Sequence, residues 1–143
     1  MKKQKLLIFL LIMTHLSGCL GFVYNRKIVD KYWLIETDSK ADMSLSYELG
    51  NENFIGIIHG GVYALGYNFD YIIVKQHPYI PFPDSINKLI TNYYIIPIDR
   101  SISKYKVQEN LIGPLNEIEF VKQKEKLKIP LDLEFQIVIE ENE

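Results

Sequence analysis

From Tyr32 to Ile139 the chain alternates short apolar stretches with polar breaks, and the spacing predicts strands more often than helices. Tyr32-Trp33-Leu34-Ile35 reads as a first strand, with Trp33 as an anchor of core or sheet rather than a ligand platform. After the polar turn Asp38-Ser39-Lys40-Ala41-Asp42, the residues Met43, Leu45, Tyr47 and Leu49 alternate with polar ones, the period of a half-buried strand. Gly50-Asn51-Glu52-Asn53 turns the chain back into Phe54–Ile58. His59-Gly60-Gly61 breaks that strand, Val62–Tyr67 begins the next, and Asn68-Phe69-Asp70 leads into Tyr71–His77. There Ile72, Ile73 and Val74 are consecutive, which predicts a strand covered on both faces. Strands joined by such short turns predict an antiparallel meander. Gly56 and Gly66, inside strands, permit a bulge or the curvature of a partly closed barrel.

Pro78, Pro81 and Pro83 interrupt the ladder and leave His77–Asp84 as a loop, after which Asp84 or Ser85 is placed to cap a short helical turn over Ile86–Ile90. Tyr93-Tyr94-Ile95-Ile96 resumes strand, with Pro97 at an edge or an end. The polar stretch Ser101–Asn110 is expected to form a long hairpin arm. Leu115–Lys128 predicts the one helix. Asn116 and Glu119 have capping-box spacing, and Glu117 and Glu119 at the start with Lys124, Lys126 and Lys128 at the end complement the helix dipole. Ile118, Phe120, Val121 and Leu127 form its apolar arc, crossed by the stem of Lys124, and the lysines make a solvated face. Pro130 stops the helix, and Leu131, Leu133, Phe135, Ile137 and Ile139 alternate through a final strand with an acidic outer face, before a frayed tail at Glu140–Glu143. The expected fold class is α+β: predominantly an antiparallel β meander or partly closed barrel, with one helix in the C-terminal half.

The amino terminus follows a different pattern. Lys2, Lys3 and Lys5 precede an apolar run from Leu6 to Met13, and the stretch closes on Leu16-Ser17-Gly18-Cys19. The run falls well short of the about 20 apolar residues that span a bilayer and suits the core of a secretory signal. Ser17 and Gly18 are small enough for an extended chain to enter a narrow peptidase site, and Cys19 supplies a thiolate that can be alkylated. Residues 1–19 resemble bacterial lipoprotein precursors. That resemblance implies diacylglyceryl transfer to the Cys19 sulfur, cleavage after Gly18 and acylation of the new amino terminus, with palmitate as the attached acyl group. The chain then divides into a signal peptide at 1–18, a lipidated cysteine and tether at 19–30, and a single α+β domain at 31–143. The tether is apolar at Leu20, Phe22, Val23 and Tyr24, so it either packs on the domain close to the membrane, the favoured reading, or dips into the lipid interface.

Composition narrows the partners. Without residues 1–18, which hold three of the 16 basic side chains, 13 remain against 18 acidic ones, a balance of −5 that disfavours nucleic acid. Cys19 is the only cysteine, so the domain is expected to fold without a disulfide. Ten tyrosines and seven phenylalanines suit a β-rich core.

The later region resembles small uncharacterised bacterial lipoproteins of a domain-of-unknown-function family, in Gly66–Gln76, Tyr93–Ile96 and Gly113–Phe120. The resemblance implies a compact strand-rich lipoprotein and brings no catalytic residues. The residues themselves agree. No G-x-S-x-G elbow accompanies His59-Gly60-Gly61, and Asp38–Leu49 lacks the central glycine and terminal glutamate of a calcium loop. His59 and His77 can share a metal only if the fold brings them together, and no metal or cofactor is expected. The expected function is that of a non-enzymatic, membrane-anchored envelope lipoprotein that binds another protein, for example as an immunity or inhibitor protein. A small barrel-like binder of an apolar ligand is the alternative, and an unrecognised hydrolase comes last. With Leu20 after Cys19 in place of a retaining aspartate, the expected location is the periplasmic face of the outer membrane in a cell that has one. Tyr79, Ile80 and Phe82, held on a proline-stiffened loop, are the candidate contact residues. The competing reading, in which they fold back to cap the core, weighs slightly more.

Overall fold

A computed structural model of the chain describes residues 24–81, 84–103 and 106–139. Its first four strands, β1 (Tyr24–Val29), β2 (Tyr32–Glu36), β3 (Ser44–Gly50) and β4 (Asn53–Ile58), pair in chain order as one antiparallel sheet. The turns are made where the backbone tolerates a left-handed conformation: Asp30 between β1 and β2, and Gly50, Asn51 and Glu52 between β3 and β4, all have positive φ. β1 makes the later part of the expected tether a strand packed on the domain, while residues 1–23 lie outside the described residues. Its residues pair with β2, Lys27 opposite Trp33, and Ile28 is buried in the core, so the sheet begins at Tyr24.

His59-Gly60-Gly61 does more than end a strand. With Gly60 and Gly61 at φ 57 and 67, it carries the chain from the first sheet into a second. That sheet contains β5 (Val62–Tyr67), β6 (Tyr71–Gln76), β9 (Asn92–Pro97), β10 (Ile112–Leu115) and β11 (Ile137–Val138), in the order β10-β9-β6-β5-β11. The expected meander is therefore split in two, and among the described residues neither sheet closes into a barrel. A two-stranded hairpin, β7 (Tyr79–Pro81) with β8 (Asp84–Ile86), stands apart from both sheets. Its second strand takes up Ile86, because Tyr79 and Ile80 find ladder partners in Ile86 and Ser85, and the helical turn expected over Ile86–Ile90 shrinks to one turn closed by Ile90 N on the Asn87 carbonyl. The expected arm at Ser101–Asn110 is instead a 3₁₀ turn at Val107–Asn110, drawn in by Val107, which is fully buried in the core.

The core lies on both faces of the second sheet. One cluster joins Leu34, Leu45 and Ile58 of the first sheet to Leu65, Ile72, Val74 and Ile96 of the second. The other joins Ile73 and Ile95 to Phe120, Ile129 and Leu133. The run Ile72-Ile73-Val74 is thus buried on both sides, as its continuous apolarity predicts.

Helix α1 (Glu117–Lys126) starts at a complete capping box, Asn116 Oδ1 accepting from Glu119 N and Glu119 Oε2 from Asn116 N, each at 2.9 Å. Its apolar arc is narrower than predicted. Phe120 alone is buried, stacked between Tyr93 and Phe135 at 4.9 and 6.1 Å, while Ile118 and Val121 face outward at 69% and 49% exposure. One aromatic fills the gap over the sheet, so the helix has no need to roll further. Lys124 lies across Phe120 and donates to the Leu133 carbonyl at 3.0 Å.

The predicted final strand is cut short. Leu131 is exposed, Leu133 and Phe135 pack beneath the helix, and Ile137 enters the other cluster, so the segment wraps the sheet edge and pairs only over β11. Gly66 permits this, since a Cβ there would strike the Glu134 carbonyl. Gly56 likewise admits the His59 ring beside a bulge in the β3–β4 ladder. Both glycines serve close approach rather than barrel closure. Glu140–Glu143 lies outside the described residues.

Candidate functional site

The crossover lies against the segment that enters β3 and the segment that leaves β6 toward the hairpin. Backbone bonds tie them: Gly61 N donates to Ala41 O, Val62 N to Met43 O and His77 N to Gly61 O. The organising side chain is Gln76, the last residue of β6, which is 6% exposed. Its Nε2 donates to the carbonyls of His59 and Gly60 at 2.7 and 2.9 Å, and its Oε1 accepts from Tyr94 Oη at 2.9 Å and Asn92 Nδ2 at 3.4 Å. Four bonds satisfy the amide and lock the crossover onto the second sheet. The local sequence pattern does not mark Gln76 as a site residue. The available signal was a polar residue continuing the inward register of Ile72 and Val74.

A surface groove of about 400 Å³ opens there, lined by Asp42, Ser44, His59, Gly60 and Tyr79. Tyr79 stands at its rim, half exposed on the hairpin, and the neighbouring Ile80 is half buried. These two contact candidates are therefore placed on an outlying hairpin with a groove beside it. Phe82, the third, and the acylation candidate Cys19 lie outside the described residues.

The chemistry of the groove is one of hydrogen bonding. Ser44 Oγ donates to the Ile35 carbonyl at 3.1 Å, and Asp42 Oδ2 accepts both the amide and the hydroxyl of Ser39 at 3.0 Å. With the serine proton directed at a carbonyl and the aspartate tied to its own turn, these side chains form no serine–histidine–aspartate relay. The two histidines are engaged separately. His77 stacks on Tyr63 at a centroid distance of 4.1 Å and donates from Nδ1 to the Ile90 carbonyl at 2.8 Å, whereas the His59 ring lies against Gly56. Among the described residues no group of three His, Cys, Asp or Glu side chains is placed to hold a metal ion.

Trp33 sits on the outer face of the first sheet rather than in the core. Half buried, it donates from Nε1 to Glu48 Oε2 at 3.1 Å and meets Phe54 edge-on at 5.8 Å, so it does anchor strands to one another. On the inner face Tyr32 and Tyr47 pack edge to face at 5.0 Å, and burial, followed by Tyr47, Asp30 and Asp99, pushes the Tyr32 hydroxyl up to about 12.

The chain matches no curated protein and no solved structure at a level that shows kinship. A family model does match, over residues 29–140, which takes in every strand from β2 to β11 together with α1. The chain belongs to that family, described as Protein of unknown function (DUF3997).

Proposed function

We propose that the chain is the precursor of an acylated envelope lipoprotein whose domain serves as a non-enzymatic protein-binding module. The observation that carries the reading is Leu16-Ser17-Gly18-Cys19, which places the only cysteine directly after a lysine-led apolar run of signal length. Two acyl chains hold a protein stably on a membrane where one gives marginal binding. Acylated at Cys19 and, in a cell with an outer membrane, carried to its periplasmic face, the domain would stand a short chain length from the lipid. The groove end, with Tyr79 exposed on a hairpin, supplies the contact surface of this reading, since exposed aromatics on stiffened loops are common anchors of interfaces. An immunity or inhibitor role toward an envelope toxin or hydrolase suits such a tethered module.

Cells expressing the full chain and fed labelled palmitate test the anchor. The wild-type protein should take up label and sediment with membranes, and Cys19→Ser should do neither. A Cys19→Ser protein that is cleaved and still sediments would overturn it. For the module, Tyr79→Ala should leave thermal stability within about 1 kcal/mol, as for an exposed side chain, while abolishing crosslinks from the rim to a partner. Retained crosslinks with a loss of several kcal/mol would make Tyr79 a core cap.

A further inference from the structure

The outer face of the first sheet carries a second concavity, away from the crossover groove. It is a hollow of about 300 Å³ lined by Asn25 on β1, Trp33 on β2, Glu48 on β3, Glu52 in the β3–β4 turn and Phe54 on β4. Two aromatic rings meeting edge to face line it, and two carboxylates and an amide complete it. The Glu48 carboxylate is oriented by its bond from the indole Nε1, and Glu52 is projected by a backbone of φ 58. The volume is at the lower end for ligand pockets, suited to one side chain rather than a larger molecule.

The charge pattern selects the class of that side chain. The rings offer the negative faces of their π systems and the rim offers carboxylates, both of which attract a cation. The protein shows the attraction itself, because the ammonium of Lys27 lies 5.9 Å from the Trp33 centroid. That is the outer limit of a useful contact, and Lys27 is not among the residues that line the hollow, so the indole is left to attract a second cation. We infer that this hollow receives the lysine or arginine side chain of a basic peptide segment on a protein partner. Arginine fits best, since its planar guanidinium stacks on an indole while its fork reaches a carboxylate. The site needs neither the acyl anchor nor the Tyr79 groove, so it stands if either of those fails.

Trp33 is the only tryptophan, which makes its emission a direct reporter of the hollow. The full-length protein in neutral detergent would be titrated with acetyl-Gly-Arg-Gly-amide, acetyl-Gly-Lys-Gly-amide and the uncharged acetyl-Gly-Gln-Gly-amide. The expected result is a saturable change with the two basic peptides, arginine binding more tightly, and none with the glutamine peptide. Raising salt from about 0.02 to 0.3 M should weaken binding several-fold, because the carboxylate attraction is screened. Glu48→Gln/Glu52→Gln, which keeps an acceptor for the indole, should weaken it by about fivefold or more, and Lys27→Met should tighten it by removing a positive charge beside the indole. The inference is overturned by an equal response to the glutamine peptide, by no saturation with wild-type protein, or by unchanged affinity in the double glutamine variant. Affinity for the basic peptides unchanged across the salt series overturns it as well, and that series uses wild-type protein, so the test holds even if a variant folds poorly.

Discussion

Replacing Gln76 by leucine keeps the size of the side chain and removes every polar contact it makes. Its amide bonds the carbonyls of His59 and Gly60 and accepts from Tyr94 and Asn92, at the junction of the two sheets. The Tyr94 hydroxyl, on a side chain only 8% exposed, loses its acceptor. A buried polar group left unmatched costs about 1–3 kcal/mol. The His59 carbonyl belongs to an exposed residue and water can replace its donor, whereas Gly60 is partly covered. Counting the hydroxyl in full and the carbonyls in part gives a loss of about 2–4 kcal/mol, measured by urea unfolding of the full-length protein in detergent with Trp33 emission as the signal. A cycle isolates the cause. Tyr94→Phe alone should cost about 1 kcal/mol, the net worth of one hydrogen bond. The double variant should cost less than the sum, because removing the hydroxyl removes the group that the introduced leucine would strand. A loss under about 0.5 kcal/mol for Gln76→Leu, or strict additivity with Tyr94→Phe, would refute the clamp.

Three other outcomes follow from the packing. The Tyr32 hydroxyl is raised from its ordinary 10 to about 12 in the folded state, so its contribution is complete below pH 10 and is lost as pH climbs toward 12, up to about 2–3 kcal/mol by linkage; urea unfolding between pH 9 and 12 should show that fall, and Tyr32→Phe should make it shallower without abolishing it, because burial also raises Tyr47, Tyr93 and Tyr94. Gly66→Ala should cost about 3 kcal/mol or more and expose the segment from Leu133 to Ile139 to proteolysis, because the new methyl meets the Glu134 backbone carbonyl, which cannot rotate away as a side chain would; wild-type protease resistance would contradict the close approach. On the helix, Phe120→Ala should cost about 3–5 kcal/mol while Ile118→Ala stays within about 0.5 kcal/mol, a contrast that thermal unfolding can read and that equal losses would refute.

Local pattern determined most of the strands and the start of the helix. The alternation through Met43, Leu45 and Tyr47, the left-handed turn at Gly50-Asn51-Glu52 and the Asn116/Glu119 capping box each depend on residues a few positions apart, so a single sequence displays them. The apolar run Ile72-Ile73-Val74 even announced that two layers would cover β6. What it could not name was the layers. Whether His59-Gly60-Gly61 returns a strand to its own sheet or starts a new one depends on Gln76 bonding its carbonyls from residues 16 and 17 positions away. Separation in sequence likewise hid the role of Gly66, which is settled by a carbonyl at Glu134, and the exposure of Ile118, which is settled by Phe120 alone filling the space between Tyr93 and Phe135. It also hid the hollow around Trp33, whose lining comes from all four strands of one sheet and the turn between two of them. Periodicity assigns a residue to a face, because that needs only its neighbours along the chain. Which surface meets that face, and which faces stay open to a partner, was decided by contacts among residues far apart in sequence.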